Sequence, residues 1–179
     1  VALSSPYDLI GTPTVLKFTV TAMGLTDSRL LFNGNLDPAS GSIKFEVVSS
    51  GEYSQAAAST QFTIYDEEGT TIDTNTLTQD AKSTTDASLT FDFTTKDIEI
   101  AGGQSKTFRI QIDNPNTSYS KTNDTGRAAD YFQVVLRDNE NSLINWVDNS
   151  TGVTTADADV ASVTGVLKNL PIFGPTFQR

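Results

Sequence analysis

The sequence predicts an all-β protein: an Ig-like or jelly-roll antiparallel β-sandwich of about nine or ten strands, with an extended N-terminal strand. Three observations predict it. Apolar residues recur at every second position through most of the chain, the period of a strand with one buried and one wet face. The 179 residues include 26 Thr and 17 Ser, and the branched Cβ of Thr packs well on a pleated surface. Gly, Pro, Asn and Asp punctuate the apolar runs at short intervals, as turns require. No heptads and no repeat of fixed period compete with this reading.

The clearest stretch is 87–113, ASLTFDFTTKDIEIAGGQSKTFRIQID. Leu89, Phe91 and Phe93 alternate with polar residues, as do Ile98 and Ile100, then Phe108, Ile110 and Ile112. Gly102-Gly103 separates the last two runs. A hairpin turn needs positive φ, which Gly supplies without strain, so these runs are expected to pair as adjacent strands.

Taken in order, residues 1–10 place Val1, Leu3, Tyr7 and Leu9 at odd positions, a strand-like alternation. Pro6 removes an N–H, which suits an edge or added strand. Pro13 marks a joint, so 1–14 is read as an extended segment, a candidate donor strand, and 15–179 as one sandwich domain. Residues 15–22 present Leu16, Phe18, Val20 and Ala22 on one face. A short strand over 27–32 is followed by turn chemistry at Asn33-Gly34 and Asp37-Pro38. Residues 42–48 alternate through Ile43, Phe45 and Val47, and 60–66 through Phe62 and Ile64, with Glu68-Gly69 as the next turn. Between them, 55–59 (QAAAS) is the one helix-permissive spot, too short to form a stable helix alone. Residues 70–85 are Thr-rich and weakly patterned, a loop or poor edge strand. After the central stretch, 114–130 is a long polar loop, of a length usually tied to function or mobility. Residues 131–138 carry Phe132, Val134 and Leu136 on one face, and 143–147 carry the one Trp. Residues 153–159 are polar. The last apolar segment, 160–177, is broken by Pro171, Gly174 and Pro175.

Composition narrows the function. Hydrophobic residues are 37% of the chain, enough for a thin two-sheet core. A net charge of -10 disfavours nucleic acid, whose phosphates call for clustered Lys and Arg. It also disfavours anionic membranes, and it suits solubility, cation binding or an ion-rich cell envelope. With no Cys and no His, disulfides, thiolate metal sites, most zinc chemistry and the commonest general base are excluded. No apolar run is long enough to cross a bilayer as a helix, so no membrane insertion is expected. The start at Val1 reads as a mature, processed product.

Several residues are candidates for chemistry, each with a plainer alternative. Asn116, Asn123 and Asn149 head Asn-x-Ser/Thr triplets and are glycosylation candidates, although so Thr- and Ser-rich a chain generates such triplets by chance. Trp146, flanked by Asn145 and Asp148, is a candidate for stacking on a glycan; the alternative is a core anchor. Weak Ca²⁺ candidates are Asp66, Glu68, Asp138, Glu140, Asp157 and Asp159, because hard cations take oxygen ligands from turns; the alternative is a set of solvated turns. No G-x-S-x-G motif, phosphate loop or triad His is present, and paired carboxylates alone do not define a glycosidase cleft. The chain therefore reads as no enzyme, without catalytic residues or cofactors.

The remaining signal is the pair of apolar ends: Val1, Leu3, Tyr7, Leu9 and Ile10 at one, Ile172, Phe173 and Phe177 at the other. A sandwich with an open sheet edge is completed by a strand from a neighbour. Donor and acceptor surfaces differ, so such contacts propagate into a homopolymer. The alternative is pairing within the same domain.

The runs "SLTFDFTTKDIEIAGGQSKTFRIQID", "YFQVVLRD", "INWVDNSTG" and "LPIFGPTF" resemble β-sandwich modules at the ends of large secreted surface proteins of uncultivated ultra-small bacteria, and the wider set of S-layer-type and extracellular-filament sandwiches. The resemblance covers the chain from Ala87 onward. It implies an extracellular or cell-surface structural role, a filament or surface layer built from copies of the chain, and no catalytic residues. Two alternatives follow from the residues: a carbohydrate-binding or adhesive module of a larger surface protein, and a virion structural component.

Overall fold

The computed structural model describes residues 12–24, 29–32, 41–49, 61–76, 78–79, 87–93, 96, 98–112, 131–137, 143–148, 155–160 and 169–178. They form two antiparallel sheets packed face to face, and no helix occurs among them. The first sheet runs in the order β1 (Thr14–Thr21), β9 (Ser105–Ile112), β4 (Gln61–Tyr65), β5 (Thr71–Thr76).

The second sheet is longer and most of its lanes are broken. β2 (Arg29–Phe32) and β3 (Ser42–Ser49) form one lane. On one side lie β7 (Ala87–Asp92) beside β3 and β8 (Ile98–Ala101) beside β2. On the other lie β10 (Tyr131–Leu136) beside β3 and β11 (Leu143–Asp148) beside β3 and then β2. The outermost lane holds three strands: β12 (Thr155–Val160) pairs with β11, and β13 (Ile172–Phe173) and β14 (Phe177–Gln178) pair with β10. The two-residue β6 (Thr78–Gln79) flanks β7 at the other end. Four lanes in one sheet and five in the other fall within the predicted strand number.

The breaks follow from register. Val135 faces Glu46 and Leu143 faces Lys44, so eight steps along one lane match two along its partner. The first lane therefore has six more residues than its partner between these two register pairs. Single-sequence periodicity sees two strands at such a point and has no means of seeing that they are collinear.

Register also corrects the central expectation. β8 and β9 are not a hairpin: β8 pairs with β2 in one sheet and β9 with β1 and β4 in the other. Residues 101–104 form a corner between the layers, closed by Gln104 N–H donating to Ala101 O at 2.9 Å. Gly103 has φ +78°, the third-position conformation of a type II turn, as the predicted reversal requires. The strand that follows joins the other sheet. Gly103 N–H also donates to Ala22 O at 2.7 Å, which anchors the corner to the end of β1. The β4–β5 hairpin does turn at Glu68-Gly69 as expected, with Gly69 at φ +86°.

Two weakly patterned stretches hold strands: β5 and β6 within 70–85, and β12 where 153–159 read as merely polar. The predicted N-terminal strand (1–10), the QAAAS spot and the polar loop 114–130 lie outside the described residues.

Between the layers, side chains at every second position meet. Six Phe rings from both sheets make a continuous chain. Phe91 lies 6.0 Å from Phe45, Phe45 5.4 Å from Phe18, and Phe18 5.4 Å from Phe108. Phe108 continues to Phe93 at 5.7 Å, and Phe93 to Phe32 at 5.0 Å. These centroid spacings are those of favourable aromatic pairs. Each full burial of such a ring contributes roughly 1.5–3 kcal/mol. Leu16, Ile43, Ile64, Leu89, Ile100 and Ile110 fill the space around them.

Candidate functional site

The places where this architecture departs from a plain two-layer stack are its edges. At one edge, β5 of the first sheet lies against β7 of the second. A strand edge carries unpaired N–H and C=O groups that need partners. Among the described residues, β6 pairs with β7 at Ser88 and Ala87. Further along, Asp73 Oδ2 accepts from Asp92 N–H at 2.8 Å, and Asn75 Nδ2 donates to Thr90 O at 2.6 Å. Two side chains two residues apart on β5 thus satisfy the backbone of β7 across the seam.

At the opposite edge, the seam between β1 and β10 is closed by the chain's own C-terminal segment. Phe173 pairs with Val135 and Phe177 with Phe132 in register. Between them, Gly174 N–H donates to Val134 O at 2.9 Å, and Gln133 Nε2 donates to Gly174 O at 2.8 Å. A Cβ on Gly174 would overlap the Val15 carbonyl oxygen and stand 3.0 Å from that of Val134. Gly is required there for close approach rather than for positive φ. Val15 is the extra residue of a bulge in β1, since Thr14 faces Gln111 and Leu16 faces Ile110. The bulge re-aims the backbone at the point that the tail crosses.

The three C-terminal assembly candidates have separate fates. Phe177 is 3% exposed and belongs to the core. Ile172 is partly buried against that core. Phe173 is 54% exposed. It stands beside Val135, which is fully buried yet lies on the opposite face of β10 from the core residues Val134 and Leu136.

The outer face of the first sheet is a third feature. Cross-strand hydroxyl pairs join Thr19 to Thr107 at 2.9 Å, Thr21 to Ser105 at 2.7 Å and Thr63 to Thr74 at 2.7 Å. The Arg109 guanidinium carbon sits 5.2 Å from the Tyr65 ring centroid, a cation–π geometry. Hydroxyl pairs of this kind stabilise the sheet by a few tenths of a kcal/mol each, up to about 1 kcal/mol; two of them are exposed, whereas Thr63 is buried.

The other sequence candidates are distributed as follows. Trp146 is 6% exposed and part of the core cluster, so its rings are packed against protein and offer a sugar no open face. Asp66 caps its own hairpin: Thr70 N–H donates to Asp66 Oδ1 at 2.6 Å, across the turn. Glu68 is exposed in that turn. Asp157 and Asp159 fall on β12, opposite Trp146 and Ile144 in register. Among the described residues no group of three or more acidic side chains is placed to hold a metal ion. Asp138, Glu140, Asn116, Asn123, Asn149, Val1, Leu3, Tyr7, Leu9 and Ile10 lie outside the described residues.

Sequence reasoning passes over Asp73, Asn75 and Gln133, and takes Gly174 only as a break in the last apolar segment. The first two had a signal: polar side chains at alternate positions in TIDTNT. Gly174 also had one, as the small residue between Pro171 and Pro175 in an apolar run. In comparisons with protein families, curated proteins and solved structures, nothing matches this chain.

Proposed function

We propose that the chain is a structural subunit of an extracellular filament or surface layer, joined to copies of itself through its apolar terminal segments. It is assigned no reaction, no cofactor and no nucleic-acid or membrane-inserted role. The observation that carries the reading is the β10 edge, where an apolar terminal segment completes a sheet and leaves Phe173 outward. An edge that accepts one terminal strand presents the same ladder and the same apolar slot to another. The core and the β5–β7 seam support it by supplying a rigid, closed body on which such joints can be repeated. The net charge of -10 keeps free subunits soluble until the joints form.

The test is negative-stain electron microscopy of the purified chain beside a variant lacking residues 1–10. The reading expects extended or sheet-like assemblies from the full chain, and their loss or shortening in the variant. Dispersed single particles from the full chain at high concentration contradict it. Unchanged assemblies from the variant would remove the N-terminal segment from the joint.

A further inference from the structure

We infer that the C-terminal segment 172–178 is an exchangeable strand: its seat on β10 accepts either the chain's own segment or that of a second copy. The inference rests on the self-assembly reading and specifies its joint.

Four observations carry it. First, the segment pairs with β10 and with no other strand among the described residues. Only four register pairs hold it, Val135–Phe173, Leu136–Ile172, Tyr131–Gln178 and Phe132–Phe177, whereas β1 and β9 share seven. Second, its hold is discontinuous: four steps from Phe173 to Phe177 match three from Val135 to Phe132, so a bulge interrupts the ladder. Third, the seat is specific. It provides the slot for Phe177, the Val15–Val134 gap that only Gly174 passes, and the Gln133 amide that reads the Gly174 carbonyl. Fourth, emptying the seat leaves the β10 edge bare and the Phe177 slot open. Only a strand of the same pattern, aromatic at 177 and Gly at 174, refills both.

These are the conditions for strand exchange between identical chains. The intramolecular and intermolecular joints make the same contacts, so they differ only in connectivity, and concentration decides between them. Because donor segment and acceptor seat are different surfaces, exchange around a two-fold axis closes a dimer, and any other rotation builds a ring or an open polymer.

The absence of Cys from the sequence makes the test clean. Two single variants, V135C and F173C, are prepared separately in the full chain, reduced, mixed at the concentration where the unmodified chain assembles, and then oxidised. V135C mixed with E68C, an exposed position in the β4–β5 turn at the other edge of the first sheet from the seat, is the collision control. A second pair, Y131C with Q178C, repeats the measurement at the other end of the seat if either first variant folds poorly. The inference expects a V135C–F173C heterodimer on a non-reducing gel, at least several-fold above the E68C control. It also expects covalent multimers from the V135C/F173C double variant, increasing with concentration. A double variant that closes only within single chains, with no cross-product from either mixture, overturns the inference. If assemblies are still seen by microscopy in that case, the self-assembly reading stands and only the exchange is wrong. If none are seen, both fall.

Discussion

The two seams of the sandwich solve one problem by different means. At the β5–β7 seam, two short polar side chains reach across and satisfy backbone groups of the facing strand. At the β1–β10 seam, a whole terminal segment is laid in, with an aromatic knob and a Gly passage. The first closure is local, made by side chains of a strand that also pairs with β4. The second is made by a segment that pairs with β10 alone among the described strands. Under the proposed reading, the first kind of seam fixes a subunit and the second is the joint between copies.

The largest effect that would break this contrast is at Phe177. Replacing it with Ala empties a slot in the core, and Phe→Ala at such sites costs about 3–5 kcal/mol. Equilibrium denaturation should show that loss, and hydrogen exchange should place the lost protection on β10 rather than on β4 or β5. A cost below about 1 kcal/mol would mean the tail is not a structural strand. Next comes Gly174→Ala, which drives a methyl into the Val15 carbonyl. Overpacking of this kind costs roughly 1–3 kcal/mol, and the expected relief is release of the tail, seen as new protease cleavage between residues 169 and 178. Uniform destabilisation without such cleavage would contradict a detachable tail.

At the other seam, Asp73→Ala strands the Asp92 amide, and a partly exposed group left without its acceptor costs about 1 kcal/mol. Asp73→Asn keeps an oxygen in place and should recover most of it. Neither variant should change the assembly state by light scattering; a change would show that both seams serve assembly. The smallest effect belongs to the hydroxyl rows. Thr19→Val and Thr107→Val should each stay within about 0.5 kcal/mol, with a small coupling between them in a double-mutant cycle.

How much of this could be read from residues alone differs by feature. Alternation at Phe18, Phe45, Phe62, Phe91 and Phe108 named the core, because a buried face leaves a period of two whichever sheet the strand joins. The turns at Gly69 and Gly103 were legible for the same local reason. Sheet membership was not. The residues around Gly102-Gly103 specify a reversal, but the partners of β8 and β9 are set by β2, β1 and β4, remote in sequence. Collinear lanes such as β10–β11 are hidden likewise, because register is a relation between chains of residues. The polar strands β5 and β12 have few apolar markers to reveal them. At the candidate site, the apolar character of 172–177 was visible, but the roles were not: burial of Phe177, exposure of Phe173 and the passage at Gly174 depend on what lies across the seam.

The most direct test of the central claim is the mass of the full chain in solution as concentration rises, by light scattering coupled to sedimentation. A subunit built to be joined should exceed 19.2 kDa by growing multiples as concentration increases, and fall back on dilution. A mass that stays at 19.2 kDa across the whole range would contradict it.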